Sequence, residues 1–252
     1  MPITVHQNAP GIAEVVIDQP PVNAIDVAGW FALAEAVLAA GRVPDNRVVI
    51  VRAEGRGFCA GVDIKEIQAR GDDALIGANR GCFAAFAAVY ECEVPVIAAV
   101  HGFCLGGGVG IAGNADIIVA SEDATFGLPE VDRGALGAAT HLSRLVPQHR
   151  MRSMVYTAEP AGAAELHRYG SVLKVVPRDQ LVGAAYEVAT AIAAKSPTIL
   201  RRAKESLNGI DPVDVRRSYR FEQGFTYELH VAGVADEQRA AFVEKRDADT
   251  TR

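Results

Sequence analysis

The chain has 252 residues, of which 50% are hydrophobic and only 6% aromatic, so its core must consist mainly of aliphatic side chains. This length suits one large domain or one domain with a small appendage. A formal net charge of −6 at pH 7 lacks the basic field that general nucleic-acid binding requires, so we expect no nucleic-acid partner.

Hydrophobic periodicity predicts strands and helices in alternation. Short aliphatic and β-branched runs bounded by turn residues predict strands over 12–17, 47–53, 94–100 and 116–120. Apolar residues at helical spacing predict helices over 27–41, from about residue 63, and over 74–92. This order is typical of a wound α/β fold.

One long apolar stretch needs a separate interpretation. From Val94 to Ile118 the only charged residue is Asp116, and the stretch is nearly long enough to span a membrane. However, a His-Gly pair and three consecutive glycines at 106–108 interrupt it. We therefore predict a buried strand, a turn and a helix, and no membrane partner.

A short motif occurs twice in the same setting. Strand 47–53 leads into GFCAG at 57–61, and strand 94–100 leads into GFCLG at 102–106. The repetition predicts one supersecondary unit used more than once. Glycine lets a backbone approach a ligand closely, and a helix N-terminus after it favours negative charge. Two such bends could direct two N–H groups at one oxygen, as an oxyanion hole does.

The last part of the chain is charged and helical, without strand signals. Ser196-Pro197 suits the start of a helix. We therefore predict a core over residues 1–195 and a helical segment over 196–252. Its aromatic side chains are expected to pack against the core or another subunit; they are Tyr219, Phe221, Phe225 and Tyr227.

Cysteine usage and the N-terminus suggest the compartment. The cysteines form no CxxC pair and no zinc-type cluster, so we expect no metal site and small buried thiols in a reducing compartment. The sequence leaves open whether Cys59 and Cys104 do more than pack. MPITVHQNAPG has no features of a secretion signal, which predicts a cytoplasmic location.

Several spaced blocks resemble the enoyl-CoA hydratase/isomerase, or crotonase, superfamily. They are RAEGRGFCAGVDIKE at 52–66, the long block 94–134 with GFCLGGG and FGLPE, PPVNAI at 20–25 and AAFVEKR at 240–246. The resemblance implies an α/β crotonase-type superhelix of ββα repeats with a helical C-terminal oligomerisation segment. It also implies a homotrimer or a dimer of trimers.

The resemblance further implies which residues bind an acyl-CoA thioester and stabilise its enolate. The backbone N–H groups of Val62 and Gly107 would form the oxyanion hole. The coenzyme would run along Ala60, Gly61, Val62, Asp63, Ile64 and Lys65, with Lys65 near the phosphates. No cofactor is implied, because coenzyme A enters as part of the substrate.

The acid and base residues depart from the hydratase pattern. Hydratases of this superfamily use two glutamates, and the two positions here are Gly110 and Glu130. Glycine cannot transfer a proton, so ordinary hydration of an enoyl-CoA is not expected. Glu130 is the main catalytic candidate. The candidates for a second acid or base are Asp63, Asp132 and His141.

Longer runs resemble a narrower group, the ring-opening acyl-CoA hydrolases of bacterial steroid degradation. They include FGLPEVDRGALGAATHLSRLVPQH and FEQGFTYELHVAGVADE. The resemblance implies hydrolytic opening of a bicyclic keto acyl-CoA. We also expect Gly110 to make room for a fused bicyclic acyl group.

Three alternatives remain open at this point. An enoyl-CoA hydratase or isomerase could work with Glu130 alone, and a catalytically silent relative could merely bind acyl-CoA. Residues 108–113 also form a literal GxGxxG, the dinucleotide-binding pattern, but seven residues separate it from the preceding strand.

Overall fold

The protein is described from a computed structural model that covers residues 2–249. In chain order the strands are β1 (Ile3–Ala9), β2 (Ile12–Ile17), β3 (Ala24–Ile25), β4 (Val48–Ala53), β5 (Gly61–Val62), β6 (Val96–Val100), β7 (Phe103–Leu105), β8 (Ile117–Ser121), β9 (Thr125–Gly127), β10 (Ala161–Gly162) and β11 (Lys174–Val176).

The helices lie between these strands in the first part of the chain and follow one another at its C-terminal end. They are α1 (Val27–Arg42), α2 (Ile64–Arg70), α3 (Asp72–Tyr90), α4 (Gly107–Ala112), α5 (Ala139–Leu142), α6 (Gln148–Thr157), α7 (Ala163–Tyr169), α8 (Leu181–Ala193), α9 (Pro197–Gly209), α10 (Val215–Val231) and α11 (Val234–Glu244). Two 3₁₀ turns cover Pro129–Arg133 and Arg178–Gln180.

The main sheet has the strand order β1-β2-β4-β6-β8-β11. Only β1 and β2 pair antiparallel, and the other pairs are parallel. Strand β6 is buried along its whole length, as both faces of the sheet are covered. Helices α1 and α3 supply the core on one face, and α8 covers the other.

The two GFC motifs lie side by side. The backbones of Cys59 and Cys104 pair as an isolated parallel β-bridge, and Leu105 N–H donates to the Cys59 carbonyl at 2.9 Å. Strand β7 continues this layer into the small sheet β10-β9-β7. The predicted repeat is therefore confirmed as a second layer of strands above the main sheet, in the ββα pattern.

All four cysteines are buried and free, as predicted. Burial raises the pKa of the Cys59 thiol to about 12, so this sulfur stays protonated near neutral pH. Cys104 is fully buried beside it. The two thiols therefore act as small packing groups between the GFC segments.

The segment after residue 195 is helical, as predicted. Tyr219 on α10 joins the main core, whereas Phe221 on the same helix is 70% exposed. The division at residue 195 itself stays a prediction. Within the part of the chain that the structure describes, no helix has both the length and the apolar character to cross a membrane.

Candidate active site

A cavity of about 220 Å³ lies where the two GFC bends meet the C-terminal helices. Its wall is mainly apolar. One part is formed by the bends after β4 and β6, another by the 3₁₀ turn Pro129–Arg133, and the rest mainly by α3, α10 and α11. The residues that line it include Phe86, Glu130, Arg133, Tyr219 and Phe242.

The two bends approach each other closely at glycines. Gly61 has φ +95°, and a Cβ there would lie 3.4 Å from the Gly107 nitrogen. A Cβ on Gly107 would lie 2.6 Å from Cη2 of Trp30. Glycine at 61 therefore lets the two backbones approach each other, and glycine at 107 makes room for the Trp30 indole.

The backbone amides of Val62 and Gly107 are the predicted donors of the oxyanion hole. Asp63 N–H donates to the Ile25 carbonyl of β3 at 3.0 Å. Neighbouring residues of a strand direct their N–H groups to opposite sides, so Val62 N–H points away from β3. Gly107 is the first residue of α4, where amides have no intrahelical partner. Both residues line the cavity.

Asn23 holds the first bend in place. Its buried amide donates to the carbonyls of Glu54 and Gly57 at 2.8 and 2.9 Å, and its Oδ1 accepts from Gln19 N–H at 2.7 Å. Its φ of +52° is one that asparagine tolerates better than most residues.

We expect Asn23→Ala to destabilise the fold by about 2–4 kcal/mol, because it leaves buried backbone groups without partners. Urea denaturation checks this value. The matched control is Asn208→Ala. It removes a hydrogen bond from the Asn208 amide to the Tyr90 carbonyl, which is not part of the bend. An equal loss of stability in both variants would refute a special role for Asn23 in holding the bend.

Glu130 lies in the 3₁₀ turn, against the second bend. A Cβ on Gly106 would lie 2.6 Å from its Oε1, so the glycine makes room for the carboxylate. Its Oε2 is buried without a hydrogen-bond partner among residues 2–249. Burial raises the pKa of Glu130 to about 8, and the nearby Glu222 carboxylate also raises it.

The family model described as enoyl-CoA hydratase/isomerase matches residues 7–251. The chain belongs to this family.

Two curated members of the family are particularly similar. Proteins named (7aS)-7a-methyl-1,5-dioxo-2,3,5,6,7,7a-hexahydro-1H-indene-carboxyl-CoA hydrolase come from Rhodococcus jostii (strain RHA1) and Mycobacterium tuberculosis (strain ATCC 25618 / H37Rv). They are 64% and 66% identical to this chain, over 97% of it and 95% and 100% of their own lengths. The carnitinyl-CoA hydratase structure from Mycobacterium avium superposes with TM-score 0.87 at 30% identity, covering 99% of this chain and 98% of that one.

Position 110, a glutamate in the family's hydratases, is packed against Phe86. A Cβ on Gly110 would lie 2.2 Å from the tip of the Phe86 ring. The ring itself lines the cavity and packs edge-on against Trp30. The expectation that Gly110 makes room for substrate is therefore wrong, because the aromatic ring of α3 fills that space.

His141 does not reach the cavity. Its ring lies behind Phe86 and Tyr219, at centroid distances of 4.9 and 4.8 Å. Its Nδ1 accepts from the Asn114 amide at 2.9 Å. Burial lowers the pKa of His141 to about 3, so the imidazole is neutral. This geometry contradicts direct proton transfer between His141 and a bound substrate.

The two aspartate candidates also face away. Asp63 is the N-cap of α2, and its Oδ1 accepts from the amides of Lys65 and Glu66 at 2.9 and 3.4 Å. Asp132 is exposed on the outer side of the 3₁₀ turn. Neither lines the cavity, so the sequence interpretation of both as acids or bases is not supported.

The expected coenzyme-binding run is divided between cavity and surface. Ala60, Gly61, Val62 and Ile64 line the cavity, whereas the Lys65 side chain is exposed. Their contact with coenzyme A stays a prediction. The GxGxxG glycines at 108–113 lie within α4 and at its end, not in a strand-to-helix loop, which removes the dinucleotide alternative.

Phe86, Tyr219 and Arg133 were missed as cavity residues. Phe86 and Tyr219 belong to apolar or aromatic helical stripes whose direction depends on packing. Arg133 could have been suspected, since residues three apart in a 3₁₀ helix lie on one side and Arg133 follows Glu130 by three.

The raised pKa of Glu130 predicts a pH-dependent effect on stability. The ordinary pKa of a glutamate is 4.5, and the pKa of Glu130 in the folded protein is about 8. Between these two pH values the group ionises more easily in the unfolded chain, so its burial destabilises the fold increasingly as the pH rises. Glu130→Gln cannot ionise, so we expect its melting temperature to exceed the wild type's at pH 8 and to match it near pH 4. A gain that is equal at both values would contradict the assignment.

Proposed function

We propose that the protein hydrolytically opens the five-membered ring of a bicyclic keto acyl-CoA. Its two similar relatives are named as hydrolases of such a thioester. The thioester in those names carries ketones at ring positions 1 and 5, and the fused rings suit a mainly apolar cavity. The identity of 64% and 66% over nearly the whole chain supports this substrate.

The reaction follows from one base and one pair of amides. Glu130, as carboxylate, takes a proton from water, and the hydroxide adds to the ketone carbon of the five-membered ring. The bond from that carbon to the ring-fusion carbon then breaks. Its electron pair passes along the conjugated system into the thioester carbonyl, whose oxygen accepts from the N–H groups of Val62 and Gly107. Glu130 then returns its proton to carbon, and the former ketone carbon becomes a carboxylate that stays attached to the product through the other carbons of the opened ring.

The observation that carries the proposal is the single carboxylate in this cavity. Within residues 2–249, Glu130 is the only acidic side chain that lines it, and Phe86 takes the space beside Gly110. Hydration needs one group to activate water and another to deliver a proton. Hydrolysis through an extended enolate can use one group for both steps in succession.

We also propose a homotrimer or a dimer of trimers in the cytoplasm, with coenzyme A entering only as part of the substrate. Phe221 and Phe225 on α10 support an assembly, because they pack edge-on at 5.1 Å while remaining 70% and 38% exposed in the single chain. Sedimentation velocity of the purified protein would measure the assembly directly.

Turnover of two thioesters tests the function. The bicyclic thioester should gain the mass of one water and lose the ketone of its five-membered ring, whereas crotonyl-CoA should be hydrated at least about 100-fold more slowly. An intact bicyclic thioester after prolonged incubation would refute the proposal. Fast hydration of crotonyl-CoA would favour a hydratase instead.

A further inference from the structure

Arg133 is a cation in the wall of the cavity. It lines the cavity three residues after Glu130, in the same 3₁₀ turn. No acidic side chain within residues 2–249 forms an ion pair with it, and its guanidinium lies 3.9 Å from the centroid of the Phe242 ring. The second arginine of the wall, Arg239, differs because it is bonded to Asp236 and His230.

Burial holds the pKa of Glu130 at about 8 although Arg133 lowers it, so Glu130 neutralises little of this charge at pH 7. Its Oε2 has no partner among the described residues, and a pKa of about 8 keeps most of the carboxyl protonated at pH 7. A fixed guanidinium in a mainly apolar wall therefore remains available for an anion. Its planar fork matches a carboxylate in two parallel hydrogen bonds.

We propose that Arg133 binds the carboxylate that ring opening creates. This inference rests on the proposed function, in which the neutral ketone carbon becomes a carboxylate beside Glu130. The substrate has no negative charge at that carbon, so the guanidinium distinguishes product and the preceding charged intermediate from substrate. Phe242 holds the guanidinium in place by stacking, and thereby limits its freedom before the charge forms.

The position of Arg133 favours the acyl carboxylate over the coenzyme phosphates. It shares a turn with the group that activates water, whereas the exposed Lys65 lies on the other side of the bend, at the start of α2. An Arg133 side chain that instead binds phosphate would affect every coenzyme A ligand equally. That difference separates the two sources of anionic charge.

The test measures dissociation constants for three ligands in a Glu130→Gln background, which prevents turnover. The ligands are coenzyme A, the bicyclic thioester and the ring-opened carboxylate thioester. We expect Arg133→Met to raise the dissociation constant of the ring-opened ligand at least tenfold, equal to about 1.4 kcal/mol. The dissociation constants of the other two ligands should rise by less than threefold. Arg133→Lys keeps the charge and should recover part of the affinity.

Arg216→Met is the matched control, because Arg216 also lies over a phenylalanine ring, that of Phe83, but outside this cavity. It should leave all three constants unchanged. An equal loss for coenzyme A would assign Arg133 to the phosphates and overturn the inference, as would unchanged binding of the ring-opened ligand. Failure of wild type to open the ring would refute the function itself, and Arg133→Lys covers the case in which the methionine variant does not fold.

Discussion

Glu130→Gln should lower kcat for ring opening by roughly 10²–10⁴, the usual contribution of a positioned general base. Glutamine keeps the size and the place of the side chain beside Gly106 but cannot accept a proton from water. Because the amides of Val62 and Gly107 remain, KM should change little. Steady-state kinetics on the bicyclic thioester, with ring opening followed by mass, measures both constants.

The pH profile gives an independent readout of the same group. The pKa of Glu130 is about 8, so at lower pH the carboxyl group is mainly protonated and cannot serve as the base. kcat/KM should therefore rise about tenfold per pH unit up to about pH 8 and then level off. Glu159→Gln, which alters an exposed glutamate outside the cavity, should reproduce the wild-type profile. A residual activity of Glu130→Gln with an unchanged pH profile would exclude Glu130 as the base.

Gly110→Glu should destabilise the protein by about 3 kcal/mol or more and should not create a hydratase. The new side chain would meet the Phe86 ring, 2.2 Å from the position of its Cβ, and would bury a carboxylate among aromatic groups. Phe86 is held between Trp30, His141 and Tyr219, so it has little space to move. Thermal denaturation should show a melting temperature lowered by about 5–10 °C.

Gly183→Ala provides the matched control for this substitution. Gly183 also lies in a helix, but a Cβ there meets nothing within 4 Å. Alanine should raise stability by about 0.5–1 kcal/mol through helix propensity. If Gly110→Glu folds as stably as wild type and hydrates crotonyl-CoA, Phe86 does not block that position and our explanation of the missing glutamate is wrong.

The backbone part of the site could be predicted from the sequence because local residues determine it. Glycine at 61 and 106 with positive φ follows from two GFCxG motifs in the same context. A strand before each motif places both bends at one edge of a parallel sheet. The family resemblance then indicated Val62 and Gly107, which the structure brings to one cavity.

The side chains around the reacting group could not be predicted in this way. Phe86 and Tyr219 come from helices α3 and α10, more than a hundred residues apart, and only tertiary packing decides which faces meet. His141 illustrates the opposite error. The pKa of a histidine in water is near neutrality, which suggested catalysis. In the structure the His141 ring lies behind two aromatic rings, outside the cavity, and its burial lowers the pKa to about 3.

Irregular and short strands were also missed. β1 carries mostly polar, exposed residues and pairs only along one edge, so hydrophobic periodicity gives no strong signal. β11 has only three residues, and its register on β8 depends on the helices before it. Local patterns therefore identified the centre of the sheet better than its two edges.

The proposed oxyanion hole requires that two peptide amides hold one thioester oxygen. A crystal structure of Glu130→Gln with the bicyclic thioester bound measures this most directly. We predict that the thioester oxygen lies about 2.7–3.1 Å from both the Val62 and the Gly107 nitrogen. A thioester carbonyl that is bound elsewhere in the cavity, or that contacts neither amide, would contradict the account.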